Sequence, residues 1–159
     1  MADLEQLVRR LLVREVGFVL VGGLAAVAHG ATLVTRDTDI CCPFDFANMR
    51  KLYGAIADLH PVHRTPQKLP LEVTPELCSR LKNLYLSTDA GALDCLGEIT
   101  GIGGFEAVKR RSVEVTLWER PCRILSLEGL IAAKEAMGRT QDRLALMQLR
   151  CIQARQRHR

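Results

Sequence analysis

Residues 22–39 read GGLAAVAHGATLVTRDTD, a glycine pair at one end and two aspartates one residue apart at the other. Just before them, GFVLV (residues 17–21) is a continuous apolar run with β-branched members, the pattern of a buried strand. Gly22 and Gly23 stop that strand, LAAVAHG reads as a short helix ended by Gly30, and TDICC (residues 38–42), closed by Pro43, is a second short strand. Each end of the stretch has two readings. A glycine pair at a strand end is commonly a turn. At a strand-to-helix junction it also exposes backbone N–H groups at the positive end of a helix dipole and admits a phosphate close to the backbone. A D-x-D alone is commonly a solvated turn. On a strand, the same spacing puts Asp37 and Asp39 on one side, about 7 Å apart, where they repel each other unless a cation lies between them. Mg²⁺ suits such a place, because it prefers hard oxygen ligands and leaves positions open for water and phosphate.

A third carboxylate bears on the choice. Asp94 lies in GALDCL, inside an apolar strand, and an aspartate there is costly unless it is paired, hydrogen-bonded or bound to metal. Alternation puts Asp94 on the face opposite Leu93 and Cys95. If that face abuts Asp37 and Asp39, three carboxylates surround one or two metal ions, the layout of two-metal phosphoryl transfer.

The rest of the chain frames this segment. Residues 3–14 carry Leu4, Leu7, Val8, Leu11 and Leu12 at helical spacing. Phe46 to Leu59 reads as a helix with Met49, Leu52, Tyr53, Ile56 and Leu59 on one face. Residues 60–75 hold four prolines and read as a long loop. NLYLSTDAGALDCLGEI is two strands about a turn at Asp89-Ala90-Gly91. A glycine-rich segment (100–104) and a short helix (Phe105 to Arg110) follow. SVEVTLW alternates as a strand, and CRILSL is another after a turn at Arg120-Pro121. Ser126 is the expected N-cap of a helix ended by Gly138, and Thr140 to Gln156 form the last helix. The expected fold class is α/β (α+β): a mixed β-sheet flanked by helices with a C-terminal helical pair. One domain is expected over residues 1–159, with its core at 16–125 and the C-terminal helices at 126–156.

Composition excludes several classes. Hydrophobic residues are 48% and charged residues 25% of the 159, ordinary for a globular chain, while aromatics are 4%, so the core rests on Leu, Val, Ile and Ala. The longest apolar run, Val16 to Ala28, is about two-thirds of a membrane span and contains three glycines. The start, MADLEQLVRR, is charged and amphipathic, without a signal-like apolar region, and the chain reads as cytoplasmic. Six cysteines without C-x-x-C pairing read as buried, reduced small hydrophobes and not as a zinc site. Net charge is +4, with basic clusters at Lys109-Arg110-Arg111 and in the end QARQRHR. These are either solvated surface or a footprint for a polyanion.

An apolar strand, Gly-Gly, a short helix, D-x-D and a third Asp on a later strand together resemble the DNA polymerase β-like nucleotidyltransferase superfamily. The resemblance runs from about Phe18 to Leu149. It rests on VGGLAAVAHG, TRDTDI, GALDCL and LSLEGLIAAKEAMGRTQDRLALMQL, and points to the minimal bacterial and archaeal branch that includes abortive-infection-type toxins. It implies that Gly22 and Gly23 hold an NTP triphosphate, that Asp37 and Asp39 bind Mg²⁺ or Mn²⁺, and that Asp94 binds the catalytic metal and helps deprotonate a hydroxyl acceptor. The acceptor is tRNA or another RNA, a protein side chain, or a small molecule such as an aminoglycoside; an antitoxin partner goes with the toxin-like branch. Thr35 and Arg36 join the expected nucleotide-binding set. So do Lys134, which is either a cation aimed at the triphosphate or a snorkelling surface lysine, and Arg139, which is either a nucleotide ligand or the helix partner of Asp142. The chain departs from the family pattern at Leu33, where arginine is frequent, and at Gln141, where lysine is frequent. The alternative is a non-catalytic nucleotide- or RNA-binding module with the same fold.

Overall fold

The computed structural model describes residues 2–159; Met1, which the single-domain reading includes, lies outside them. Helix α1 (Leu4–Val13) is capped by Asp3, whose side chain accepts from the Gln6 N–H, and it buries Leu7, Val8 and Leu11. Strand β1 (Val19–Val21) is buried at every position, the mark of a central strand covered on both faces. Helix α2 (Gly22–Ala28) follows without a linker, so the glycine pair is its first turn and not a break before it. Strand β2 (Asp37–Cys41) starts one residue earlier than expected, with Asp37 inside the strand. Helix α3 (Phe46–Ile56), capped by Asp45, tightens into a 3₁₀ turn over Ala57–Leu59. Its Met49, Leu52 and Ile56 are buried, but Tyr53, expected on the same face, is exposed.

Residues 60–75 are not a featureless loop. They contain the edge strand β3 (Val62–His63) and, at Pro75, begin helix α4 (Pro75–Arg80), which the sequence reading did not include. Its start signal was present: Thr74 caps the Leu77 N–H, and proline at the first helical position costs no hydrogen bond. Strands β4 (Asn83–Thr88) and β5 (Gly91–Leu96) form the expected hairpin. The glycine-rich segment forms a small ribbon of β6 (Glu98–Ile99) and β7 (Gly103–Gly104), then helix α5 (Phe105–Arg110).

Strands β8 (Ser112–Leu117) and β9 (Arg120–Leu125) turn at Trp118-Glu119, both at positive φ (48° and 67°), and not at Arg120-Pro121. Pro121 instead sits within β9, where it pairs with Thr116 of β8; β1 joins β9 only farther along, at Ile124. Pro121 therefore faces no second ladder that needs its missing N–H. Helix α6 (Leu127–Met137) has the expected caps, Ser126 accepting from the Gly129 N–H and Gly138 left-handed at φ 61°. The final segment is a 3₁₀ turn (Thr140–Asp142) followed by α7 (Arg143–Arg157).

The main sheet has seven strands in the order β3-β4-β5-β2-β1-β9-β8. It is mixed: β2/β5 and β1/β9 are parallel, and the other neighbours are antiparallel. Helix α1 packs on α3 and against β2 and β5. Ile40, Leu93, Cys95, Leu84 and Leu86 are buried in the core beneath these helices. Five cysteines are buried and free, as expected; Cys151, on α7, is exposed. Among the described residues no helix is long and apolar enough to cross a membrane.

Candidate functional site

Register places the two acidic stretches side by side. Val21 of β1 pairs with Asp39 of β2, Asp39 with Asp94 of β5, and Asp94 with Tyr85 of β4. Laterally paired residues point to the same face of a sheet. Asp39, Asp94 and Tyr85 thus form one row, on the face opposite Ile40, Leu93 and Leu86. Asp37 starts the next row, beside Ala92 and Ser87. Asp37 and Tyr85 are exposed, and Asp39 and Asp94 are half-buried.

The glycine pair closes the row from the β1 side. Gly22 has φ 67°, and a Cβ there would overlap the Asp39 carboxylate. Only glycine combines that left-handed backbone with that close approach. Gly23 lies against Thr35, whose Oγ1 would be 2.9 Å from a Cβ at that position, with Leu33 Cδ1 at 3.8 Å. Thr35 Oγ1 donates to the Asp37 carbonyl at 3.2 Å, tying the loop before β2 to the strand. Arg36 is exposed between them. Both ends of the opening stretch therefore meet at Asp39.

The electrostatics of the row are strained. The Asp39 carboxyl is raised from 3.8 to about 7, first by burial, then by the neighbouring Asp94 charge, a hydrogen bond shared with Asp94 and the Asp37 charge; Arg64 acts in the opposite sense. A hydrogen bond between two carboxyls requires that one be protonated, so the pair is short of positive charge. Asp94 Oδ1 is buried and receives no hydrogen bond. The Arg64 Nη2 lies 2.6 Å from it, a charge contact whose N–H is not aimed for a hydrogen bond. An electron-rich pair with an unsatisfied oxygen is a donor set that fits a hard divalent cation. Among the described residues no three His, Cys, Asp or Glu side chains converge closely enough to hold one ion. The close pair is Asp39 and Asp94, with Asp37 at the rim.

Lys134 and Arg139 lie at the α6–α7 elbow. Lys134 Nζ lies 3.3 Å from Asp142 Oδ1, and Arg139 donates through Nε and Nη2 to both oxygens of Asp142, at 2.6 and 3.2 Å. Asp142 is buried, and Arg139 foremost holds its carboxyl below the usual range. The structure thus engages both cations with a carboxylate, the pairing foreseen as the alternative for Arg139. His29 caps α2 and its Nε2 lies 2.9 Å from the Leu125 carbonyl, a structural position.

Two residues of the row escaped the sequence reading. Arg64 lies in the stretch taken as loop, where one arginine among prolines carries no periodic signal. Tyr85 was detectable: in NLYLST it alternates with Leu84 and Leu86 and so belongs to the polar face, but its neighbourhood with Asp94 depends on the hairpin register.

No family model and no curated protein sequence matches the chain. Solved structures do. The lincosamide antibiotic adenylyltransferase LnuA, bound to lincomycin, superposes with a TM-score of 0.62 at 18% identity, over 95% of this chain and 98% of that one. ANT(2'')-Ia in complex with adenylyl-2''-tobramycin gives 0.57 at 15%, over 98% and 96%. A Thermotoga maritima protein assigned as a nucleotidyltransferase gives 0.56 at 18%, over 91% and 88%. The chain has the fold of these nucleotidyltransferases.

Proposed function

We propose that the chain is a metal-dependent nucleotidyltransferase that moves a nucleoside monophosphate from an NTP to a hydroxyl acceptor. The observation that carries the reading is the Asp39–Asp94 pair on one sheet face, with Gly22 packed against Asp39. Asp39 and Asp94 are the residues to hold Mg²⁺ or Mn²⁺, with Asp37 joining from the rim. A bound cation would supply Lewis acidity to the α-phosphate and neutralise developing charge. The chain's own groups do the rest. The backbone at Gly22 and Gly23 receives the triphosphate, helped by Thr35 and Arg36 alongside. Asp94 takes the proton from the acceptor hydroxyl as that oxygen bonds to the α-phosphorus. The bond from the α-phosphorus to its bridging oxygen breaks, and pyrophosphate leaves.

LnuA and ANT(2'')-Ia, whose names and ligands point to antibiotic acceptors, support a small-molecule hydroxyl as one acceptor class. The basic end QARQRHR supports RNA, including tRNA, as another, and a protein hydroxyl is the third. Toxin-like action with an antitoxin partner belongs to the same reading. Lys134 and Arg139 enter it as nucleotide ligands only if the nucleotide draws them from Asp142.

A second reading is a non-catalytic nucleotide- or RNA-binding module. It is favoured by Leu33 against Gly23 and by the two-carboxylate, not three-carboxylate, convergence among the described residues. Calorimetric titration with ATP, CTP, GTP and UTP plus Mg²⁺, then incubation of labelled NTPs with total tRNA, protein and aminoglycoside or lincosamide acceptors, separates the two. Transfer of label supports the enzyme. Binding of an NTP or of tRNA without transfer to any acceptor supports the module, and a folded protein that binds neither NTP nor tRNA overturns both.

A further inference from the structure

We infer that Arg64 is a positioning residue that serves as the built-in counter-cation of the Asp39–Asp94 pair, so that a divalent ion must compete with its guanidinium for the site. This rests on the metal-dependent reading above and deepens it. Arg64 is anchored around the carboxylates. Its backbone N–H donates to the Tyr85 carbonyl at 3.0 Å, extending the β3–β4 register by one residue and bringing it beside the Asp94 row. Its guanidinium lies 5.6 Å from the centre of the Tyr85 ring, its Nη1 donates to the Leu86 carbonyl at 3.4 Å, and its Nη2 lies 2.6 Å from Asp94 Oδ1. Ring, carbonyl and carboxylate together leave the side chain 35% exposed, and that of Asp94 17%. Stacking on an aromatic face suits arginine's planar, weakly hydrated cation and keeps the charge in one place.

Two features distinguish this from a surface ion pair. The Asp94 oxygen that Arg64 approaches has no hydrogen-bond donor, so the contact is one of charge and leaves the oxygen's bonding capacity open to another ligand. Asp94 is also the lateral register partner of Asp39 across β2 and β5, so the guanidinium stands beside a pair of carboxylates and not beside an isolated one. A cation that neutralises a carboxylate pair without completing its bonds lowers the site's attraction for a second cation and leaves a place for it.

The test uses the full chain with Mn²⁺ alone as probe, without nucleotide, reading free Mn²⁺ by paramagnetic resonance at pH 8. Wild type, Arg64→Gln, Arg64→Lys and Tyr85→Leu are compared. Removing one charge a few ångströms from a divalent ion should tighten Mn²⁺ binding on the order of tenfold or more in Arg64→Gln. Arg64→Lys, which keeps the charge, should stay near wild type. Tyr85→Leu, which frees the guanidinium without deleting it, should shift affinity the same way by less, and it decides the matter if Arg64→Gln does not fold. Equal or weaker Mn²⁺ binding in Arg64→Gln and Tyr85→Leu, with wild type still binding, overturns the role of Arg64 and leaves the metal-dependent reading standing. Folded proteins that all fail to bind Mn²⁺ overturn both.

Discussion

Strands β2 and β5 present two faces made from alternate residues of the same few segments. One carries Ile40, Leu93 and Cys95, fully buried beneath helices. The other carries Asp37, Asp39 and Asp94, with Tyr85 beside them on β4. The first is chosen for filling space, and its one polar side chain on β2, Thr38, is fully buried. The second holds like charges together and leaves one carboxylate oxygen unsatisfied. A one-residue slip of register would exchange the faces and bury the aspartates in the core. The apolar face therefore fixes the geometry of the acidic one, and repulsion between the carboxylates is borne by packing on the other side of the same backbone.

This division of labour can be broken from either side. The largest effect is expected on the acidic face. Asp39→Asn should lower nucleotidyl transfer by at least about 10²–10³-fold, the scale of losing one charge-stabilising group at a reacting centre, in a labelled-NTP assay. Its melting temperature should not fall, since the change relieves repulsion; a variant that melts far below wild type would make Asp39 structural. On the apolar face, Leu93→Ala should cost about 2–5 kcal/mol in denaturant unfolding, because the site cannot collapse around the void.

Gly22→Ala tests the seam between the faces. A left-handed alanine costs roughly 1–2 kcal/mol, before the overlap with Asp39 is relieved. Metal-ion binding should weaken along with stability; stability loss alone would separate Gly22 from the site.

pH gives a gentler probe. The folded Asp39 carboxyl, at about 7, binds its proton more tightly than the unfolded group at 3.8. Its contribution is neutral below about pH 4, grows unfavourable as pH rises toward 7, and is fully unfavourable above 7. Unfolding free energy of the metal-free protein should therefore lose ground over that window, and Asp39→Asn should flatten that part of the profile. An unchanged slope in the variant would remove Asp39 as its source.

The smallest effect is at Thr38, fully buried between the two aspartates on the core face, with its hydroxyl unpartnered. Thr38→Val should be neutral or stabilise by up to about 1 kcal/mol in the same denaturation assay. A clear destabilisation would mean that the hydroxyl has a partner in solution.

What could be read in advance divides along physical lines. Alternation and capping are local, so the mixed α/β pattern, the β4–β5 hairpin, the caps of α6 and the sidedness of Asp37, Asp39 and Asp94 were legible. The Trp118-Glu119 turn was missed because neither residue advertises positive φ, while Pro121 advertised a turn it does not make. Helix α4 was missed because its cap, Thr74-Pro75, stood inside a proline-rich stretch read as loop.

By itself, the sequence determined the acidic spacing, the glycine pair and the apolar strands that must carry them, because each is a matter of period and local conformation. Only the tertiary structure decided that Asp39 abuts Asp94 and Gly22, that Lys134 and Arg139 turn to Asp142, and that Arg64 and Tyr85 stand at the carboxylates. Those neighbours are separated by tens of residues, and they meet through strand order and register, which depend on how the whole sheet packs.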